Sequence, residues 1–383
     1  MMSRFIVFVL VLCCVTPVSS QDISDDDFEA RAKGGIEFIY NLEFERAERE
    51  FIELARLRPL HPAGHFFLAM VKWWRIMVDR KNEQYDEEFL NSLDRVVDLC
   101  DELLDENEND VTALFFKGGS IGFQGRLRFY RDDWLGAANA GRKALPLVQV
   151  ASAADTNNYD IFLGTGIYKY YAEVFPERYP FIKPLLLFIP PGDKEKGIQQ
   201  LQTAAEKGKY ASIEAKYLLM TLYYRYEKEY QKALSIAIEL HDRFSNNMLF
   251  HKYLGRCYVS LNNWPMVRQV FSDVAERVQR GQPGYNASVE REAVYYLGIC
   301  DMNSRDYESA LAHFMRCDEL SRELDRDGVS GFMVMANLKA GMLYDLLAKR
   351  DLAVILYEKV LAMKEYNKSY DQAEQFINTP FAQ

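Results

Sequence analysis

The sharpest chemical signal in the sequence is Gly118-Gly119-Ser120-Ile121-Gly122, a match to G-x-S-x-G, the turn that presents a serine nucleophile in α/β-hydrolases. That turn needs a strand before the serine, a helix after it, and an acid and a histidine later in the chain. The pattern of a parallel sheet is missing around it. Gly118, Gly122 and Gly125 instead recur three and four apart on one face of an apolar stretch from Ala113 to Phe129, so close helix packing explains them better than catalysis at Ser120. His61 and His65 stand four apart, as ligands on one helix face would. Pro62 lies between them and nothing nearby completes a ligand set, so cap and core roles are expected. Gly164-Thr165-Gly166 lacks the rest of a dinucleotide fingerprint. The expectation is therefore no catalytic residue, no metal and no cofactor.

Tyrosines and arginines carry the binding chemistry that remains. Tyr168, Lys169, Arg225, Tyr226, Tyr253, Arg256, Tyr295, Tyr296 and Lys339 fall at outward positions of helices expected to line a concave face. Tyr offers rigid contact area and Arg a forked set of donors, so such a strip suits an extended peptide or a carboxylate terminus. The competing expectation is that these tyrosines pack laterally between helices, since Tyr is of intermediate burial.

The elements that must position these residues are helices. From Phe28 onward apolar residues recur at three and four, with Pro and Gly between segments, which predicts an all-α chain. Tyr253-Leu254-Gly255 and Tyr296-Leu297-Gly298 share a triplet, and Gly255, Gly298 and Gly341 are spaced 43 residues apart. Each glycine is followed at fixed offsets by a small residue and an aromatic. Gly298 leads to Ala310 and Phe314, Gly341 to Ala353 and Tyr357, Gly255 to Val267 and Phe271, and Gly35 to Ala47 and Phe51, with Pro59 closing that unit. Antiparallel helices approach closely only where both carry small residues, so Gly298 and Ala310 are expected to mark a crossing point, with the aromatic filling the gap to the next hairpin.

This pattern resembles the tetratricopeptide repeat, whose signature places Leu-Gly, Tyr, Ala, an aromatic and Pro over about 34 residues. The best copies run from Phe28 to His61, Glu214 to Asn247, Met248 to Gly281, Arg291 to Leu324 and Val334 to Asn367. Between them, Pro62 to Asp79 with Phe89 to Leu104, and Val111 to Phe129 with Trp134 to Val150, read as longer pairs. Asp160 to Phe175 begins a hairpin that Lys194 to Lys207 completes. The segment with Gly164, Pro190-Pro191-Gly192-Asp193, Gly197, Leu201, Ala204-Ala205 and Gly208-Lys209-Tyr210 is similar to the tetratricopeptide-repeat-39 family of eukaryotes and its bacterial relatives. That resemblance implies a helical-repeat adaptor and no known reaction. The expected organisation is one continuous α-solenoid: divergent hairpins over 21–210 with a Pro-rich insert at 176–193, then regular repeats over 211–383.

Residues 1–20 read as a secretory signal peptide. A short positive start precedes an apolar run from Phe5 to Val15, too short to span a bilayer, and Val18-Ser19-Ser20 offers a cleavage point. Export is expected, to the periplasm in a two-membrane bacterium and otherwise by secretion. Cys100, Cys257, Cys300 and Cys317 show no metal spacing. Four buried thiols are expected, the alternative being a Cys300–Cys317 disulfide. The 383 residues are 49% hydrophobic and carry a net charge of −10, so the chain should fold and nucleic acid is not the expected partner. The apolar insert Tyr179 to Pro191 is expected to plug a helical layer, with contact to a membrane surface as the alternative. Together these features predict a non-catalytic scaffold for a protein or peptide, with no small-molecule substrate inferred.

Overall fold

The computed structural model describes residues 23–180, 190–326 and 328–382. The expected signal peptide at 1–20 and residues 181–189 of the apolar insert lie outside them. Among the described residues there is no strand. The helices pair as antiparallel hairpins: α1 (Asp25–Tyr40) with α2 (Phe44–Leu57), α3 (Pro62–Val78) with α4 (Asp86–Glu106), α5 (Val111–Tyr130) with α6 (Trp134–Ala154), and α7 (Ile161–Arg178) with α8 (Lys194–Lys207). They continue as α9 (Ser212–Leu222) with α10 (Tyr230–Arg243), α11 (Met248–Ser260) with α12 (Trp264–Gln279), α13 (Ala287–Asn303) with α14 (Tyr307–Leu324), and α15 (Gly331–Leu346) with α16 (Arg350–Leu361). A final helix, α17 (Ser369–Asn378), covers the last pair. Each helix packs on the next, so the chain is the expected all-α solenoid.

Local sequence explains where helices start and how hairpins turn. Asp110 accepts from the Ala113 N–H at 2.8 Å, Asp133 from Gly136 at 2.8 Å and Asp193 from Lys196 at 2.9 Å, each satisfying a donor that the first turn leaves free. His61 caps α3 through Nδ1, 3.2 Å from the Ala63 N–H, which is the cap role expected for it. The turns inside hairpins repeat as well. Leu42, Asn262, Arg305 and Ala348 each lie seven residues after a signature glycine and adopt φ of 61°, 55°, 62° and 57°. The next N–H then reaches back five residues, from Asn263 to Tyr258 O at 3.0 Å and from Asp306 to Asp301 O at 3.0 Å. This is the Schellman arrangement, which closes helix ends with a left-handed residue.

The glycine has a different neighbour from the one expected. A Cβ on Gly298 would lie 2.9 Å from Phe314 Cε1, on Gly341 2.6 Å from Tyr357 Cε1, and on Gly255 2.7 Å from Phe271 Cζ. The glycine therefore makes room for the aromatic ring of its own hairpin rather than for Ala310, which is buried nearby. The ring's other side meets the following hairpin, as where Phe271 stacks on Tyr296 at 4.9 Å between centroids and Phe51 meets Phe67 at 5.2 Å. One ring thus holds two contacts, which is why a flat side chain recurs there.

Hairpins far apart in sequence also meet. Tyr40 on α1 and Trp74 on α3 pack edge to face at 4.8 Å, and Trp74 meets Tyr217 on α9 at 5.5 Å and Phe250 on α11 at 5.9 Å. Asn247 donates from Nδ2 to the Tyr40 carbonyl at 2.9 Å. The first two hairpins are thereby sealed against α9 to α11. The inner face expected to be free is filled over this stretch by the chain's own aromatic side chains.

Cys100, Cys257, Cys300 and Cys317 are buried and free. Cys300 and Cys317 face different carbonyls, those of Trp264 and Phe332, so the alternative of a disulfide does not apply. Buried His251 stacks on His241 at 4.4 Å, and its Nδ1 lies 3.0 Å from the Tyr285 hydroxyl. Burial, His241 and Arg277 push its imidazole down to about 3. Asp273 lies 3.5 Å from Nε2, but its carboxylate is engaged by Arg277 Nε at 3.0 Å. The unfolded chain therefore takes a proton near pH 6.5 that the folded one refuses until about pH 3, and stability falls as pH falls across that window. Between pH 7.5 and 5 this group is expected to remove about 2 kcal/mol, read from urea melts. An equal acid loss in His251→Leu would count against it.

Candidate functional site

Two features stand out, one where Arg80 meets the stretch from α9 to α13 and one between the early hairpins and α9. The first is a cluster of cations. Arg80, just beyond α3, donates from Nη2 to Tyr217 Oη at 2.8 Å and lies 4.9 Å over the Tyr130 ring. Arg225 sits on a π-helical turn, Tyr223–Glu227, that continues α9 and ends at Lys228 in the left-handed region. Such turns cost regular hydrogen bonding and recur at functional positions. Neither arginine has a carboxylate partner among the described residues, and Arg225 is exposed. Arg256 lies 5.5 Å from the Tyr253 ring centre and binds buried Glu292 through Nε and through Nη2, the latter at 2.6 Å. Lys252 reaches the same carboxylate at 3.5 Å. Burial holds the Lys252 ammonium below the ordinary lysine range despite that neighbour. Arg80 and Arg225 both feel the Tyr253 side chain and the Arg256 charge. Tyr253 is 2% exposed and its hydroxyl makes no hydrogen bond. Arg256 and Lys252 thus share one acid, while Arg80 and Arg225 stand beside them without one.

The nine groove residues divide among three places. Arg225, Tyr253 and Tyr296 come together around Arg256. Tyr253 is there as a buried wall rather than an exposed contact, a correction that follows from its packing on Tyr217 at 6.2 Å and Tyr224 at 5.7 Å. Tyr226 turns the other way, against Tyr170 at 6.1 Å and Tyr171 at 5.8 Å, beneath Arg178. Tyr168, bonded to the Pro190 carbonyl, and Lys169 lie beside the insert. Tyr295 packs on Phe314 and Phe332 in a separate C-terminal core, near which Lys339 is half-buried. The strip is therefore not continuous, and Tyr226 and Tyr295 pack laterally. Sequence reasoning missed Arg80, Tyr217, Lys252 and Glu292. Arg80 follows the end of α3 and carries no repeat signature, so only the long-range closure brings it to Tyr217.

The second feature is a cavity of about 350 Å³ bounded by α1, α3, α5, α6, α7 and α9, with largely apolar walls. It meets one ion pair. Arg126 Nη1 is 2.8 Å from Glu214 Oε1, while Tyr40 Oη donates to Glu214 Oε2 at 3.3 Å. Arg126 also lies over Trp73 at 4.7 Å and Phe123 at 4.8 Å. The glycines of α5 split in role. A Cβ on Gly118 would lie 2.6 Å from Val148 and one on Gly125 3.0 Å from Ala140, so these two allow close packing as expected. Gly122 has nothing within 4 Å and borders the cavity instead. Ser120 lies in mid-helix, fully buried, without a hydrogen-bond partner. No strand leads into it, so the nucleophile-elbow geometry is absent there. Among the described residues no group of three or more His, Cys, Asp or Glu side chains is placed to hold a metal, and no helix is long and apolar enough to cross a membrane.

No family model matches the chain, and neither does any curated protein. Solved structures with a similar course of helices include the C-terminal part of a TPR repeat-containing protein from Cytophaga hutchinsonii, 16% identical, covering 76% of this chain and 95% of that one at a TM-score of 0.38. Yeast Tom70 is 12% identical and covers 89% of this chain and 86% of its own at 0.39. A human IFIT1 dimer, solved with PPP-AAAA, is 13% identical and covers 93% and 85% at 0.41.

Proposed function

We propose that this chain is a non-catalytic binding scaffold that holds an acidic segment, or a free carboxyl terminus, of a protein partner at Arg80, Arg225 and Arg256. The observation that carries this reading is the pair Arg80 and Arg225, two guanidiniums without a carboxylate in a chain of net charge −10. Cations left unpaired beside an orphan tyrosine hydroxyl form a place where a carboxylate gains forked, charge-assisted hydrogen bonds. Helical-repeat architecture supports the reading, since stacked hairpins supply rigid surface without catalytic machinery. The apolar leader at 1–20 supports placing this scaffold outside the cytoplasm. The test is fluorescence anisotropy with a labelled hexaglutamate peptide ending in a free carboxylate. Arg225→Glu is expected to weaken binding about tenfold or more while leaving the thermal melt in place, because Arg225 is exposed and supports no ion pair. Equal affinity of the variant and the parent chain would overturn the assignment.

A further inference from the structure

We infer that the partner segment held at the cation site is an extended run of acidic side chains rather than a single carboxyl terminus, and that Arg178 is a further anchor for it. This rests on the reading of Arg80, Arg225 and Arg256 as an anion site and extends that site to the ends of α5 and α7. Arg178 is the last residue of α7, exposed, and without a carboxylate partner among the described residues. Its guanidinium lies 5.1 Å over the Tyr226 ring, as that of Arg80 lies 4.9 Å over Tyr130. Burial raises the Tyr226 phenol, Arg225 and Arg178 both pull it down, and Tyr130 adds to the rise, so the two ring–cation pairs and Arg225 are neighbours. Glu227, next in the chain, is already engaged by Tyr170 Oη at 2.6 Å and by Lys194 Nζ at 3.0 Å.

The supports come from matching places in the repeat. Arg80 follows α3 by two residues, Tyr130 ends α5, Arg178 ends α7 and Arg225 lies on the turn that continues α9, so the first helices of four consecutive hairpins end here. A cation at a helix C-terminus is favoured by the macrodipole, and any lysine would serve that purpose. The dipole does not explain three guanidiniums brought together without acids in a chain of net charge −10. One carboxylate supplies one charge and two oxygens, and Arg80 and Arg178 stand over different rings, so several acids along one strand are needed to meet all three. A nucleic acid also brings negative charge, but single strands bind by stacking bases on aromatic faces. Tyr130 is held between Trp73, stacked at 5.8 Å, and Arg80, and Arg178 lies over Tyr226, so the rings nearest these cations are already covered.

The experiment uses the full chain and the fluorescence anisotropy of two labelled probes: hexaglutamate ending in a carboxamide, and an uncharged Gly-Ser hexapeptide ending in a free carboxylate. The expected result is saturable binding of the hexaglutamate amide, at least about tenfold tighter than that of the Gly-Ser peptide. Arg178→Glu should weaken it about tenfold and leave the thermal melt in place, because Arg178 is exposed and supports no ion pair. Lys364→Glu, an exposed change between α16 and α17, should alter affinity by no more than about twofold, which separates a local contact from a change in net charge. Tighter binding of the Gly-Ser carboxylate, or an Arg178→Glu variant that binds like the parent while Arg225→Glu does not, overturns this inference and leaves the anion site standing. Failure of both probes refutes the anion site itself and this inference with it. Tighter binding of a thymidylate dodecamer than of hexaglutamate overturns the choice of a protein segment.

Discussion

Trp74→Ala is expected to destabilise the chain by about 3–5 kcal/mol, the cost of replacing a fully buried tryptophan with a methyl group. Trp74 is 1% exposed and touches Tyr40 on α1, Tyr217 on α9 and Phe250 on α11. Its loss acts on the tertiary closure rather than on any one hairpin. In a solenoid each hairpin is supported mainly by its neighbours, so loosening this junction should release the first two hairpins from α9 to α11 before the repeats themselves melt. Urea denaturation followed by circular dichroism reads the energy, and small-angle scattering under native conditions should show a larger radius of gyration. Leu60→Ala serves as the control, because Leu60 is 68% exposed and should change stability by no more than about 0.5 kcal/mol. A Trp74→Ala melt superimposable on the parent's would show that the aromatic junction does not hold the curl closed.

Glu292→Ala is expected to cost about 3–5 kcal/mol, because it strands Arg256 and Lys252 beside a site that held their shared counter-charge. The sum of opposing effects matters more than the pair count. Burial alone raises the Glu292 carboxyl, but Arg256 and Lys252 outweigh it and hold the group below the ordinary glutamate range. A depressed carboxyl contributes its stability above pH 4.5 and loses it as the pH falls through the folded-state value, so acid should reproduce in part what the substitution does. Removing all three charges together, as Lys252→Met, Arg256→Met and Glu292→Leu, should cost far less than Glu292→Ala alone, since no ion is then left without a partner. If the triple variant proves as unstable as the single one, the loss is steric and the electrostatic account fails.

Both substitutions concern contacts that periodicity does not reveal, and this marks the boundary between what was legible in the chain and what was not. Apolar spacing, cap residues and the recurrence of Gly298 with Phe314, or Gly341 with Tyr357, are local facts. Hairpin geometry follows from them because a helix, its turn and its partner all lie within about 40 residues. The expected pairs Val111 to Phe129 with Trp134 to Val150, and Asp160 to Phe175 with Lys194 to Lys207, therefore match α5 to α8 closely. Even the turns were encoded locally, though residues such as Arg305 and Ala348, which adopt a left-handed backbone, do not announce it as glycine would.

The groove required more than local facts. Register places Tyr253 on the inner side of its helix, but it says nothing of what stands opposite. Tyr217 and Tyr224 are there, with Arg80 bonded to the former, and they turn an expected contact residue into a buried one. Likewise the glycines of α5 look alike in sequence. Only the position of α6 decides that Gly118 closes a helix contact while Gly122 opens onto a cavity.

The sequence alone thus determined an all-α chain of repeated hairpins, their order, and the glycine and aromatic that lock each one, because these depend on interactions a few turns apart. The tertiary structure decided that the inner face is partly sealed, that Arg80 and Arg225 stand without a carboxylate, and that Arg126 meets Glu214 at the wall of an apolar cavity. Those outcomes depend on the small rotation between successive hairpins, summed over many repeats. A slight change in that rotation moves distant helices by many ångströms, so residue spacing along the chain does not fix which side chains finally meet.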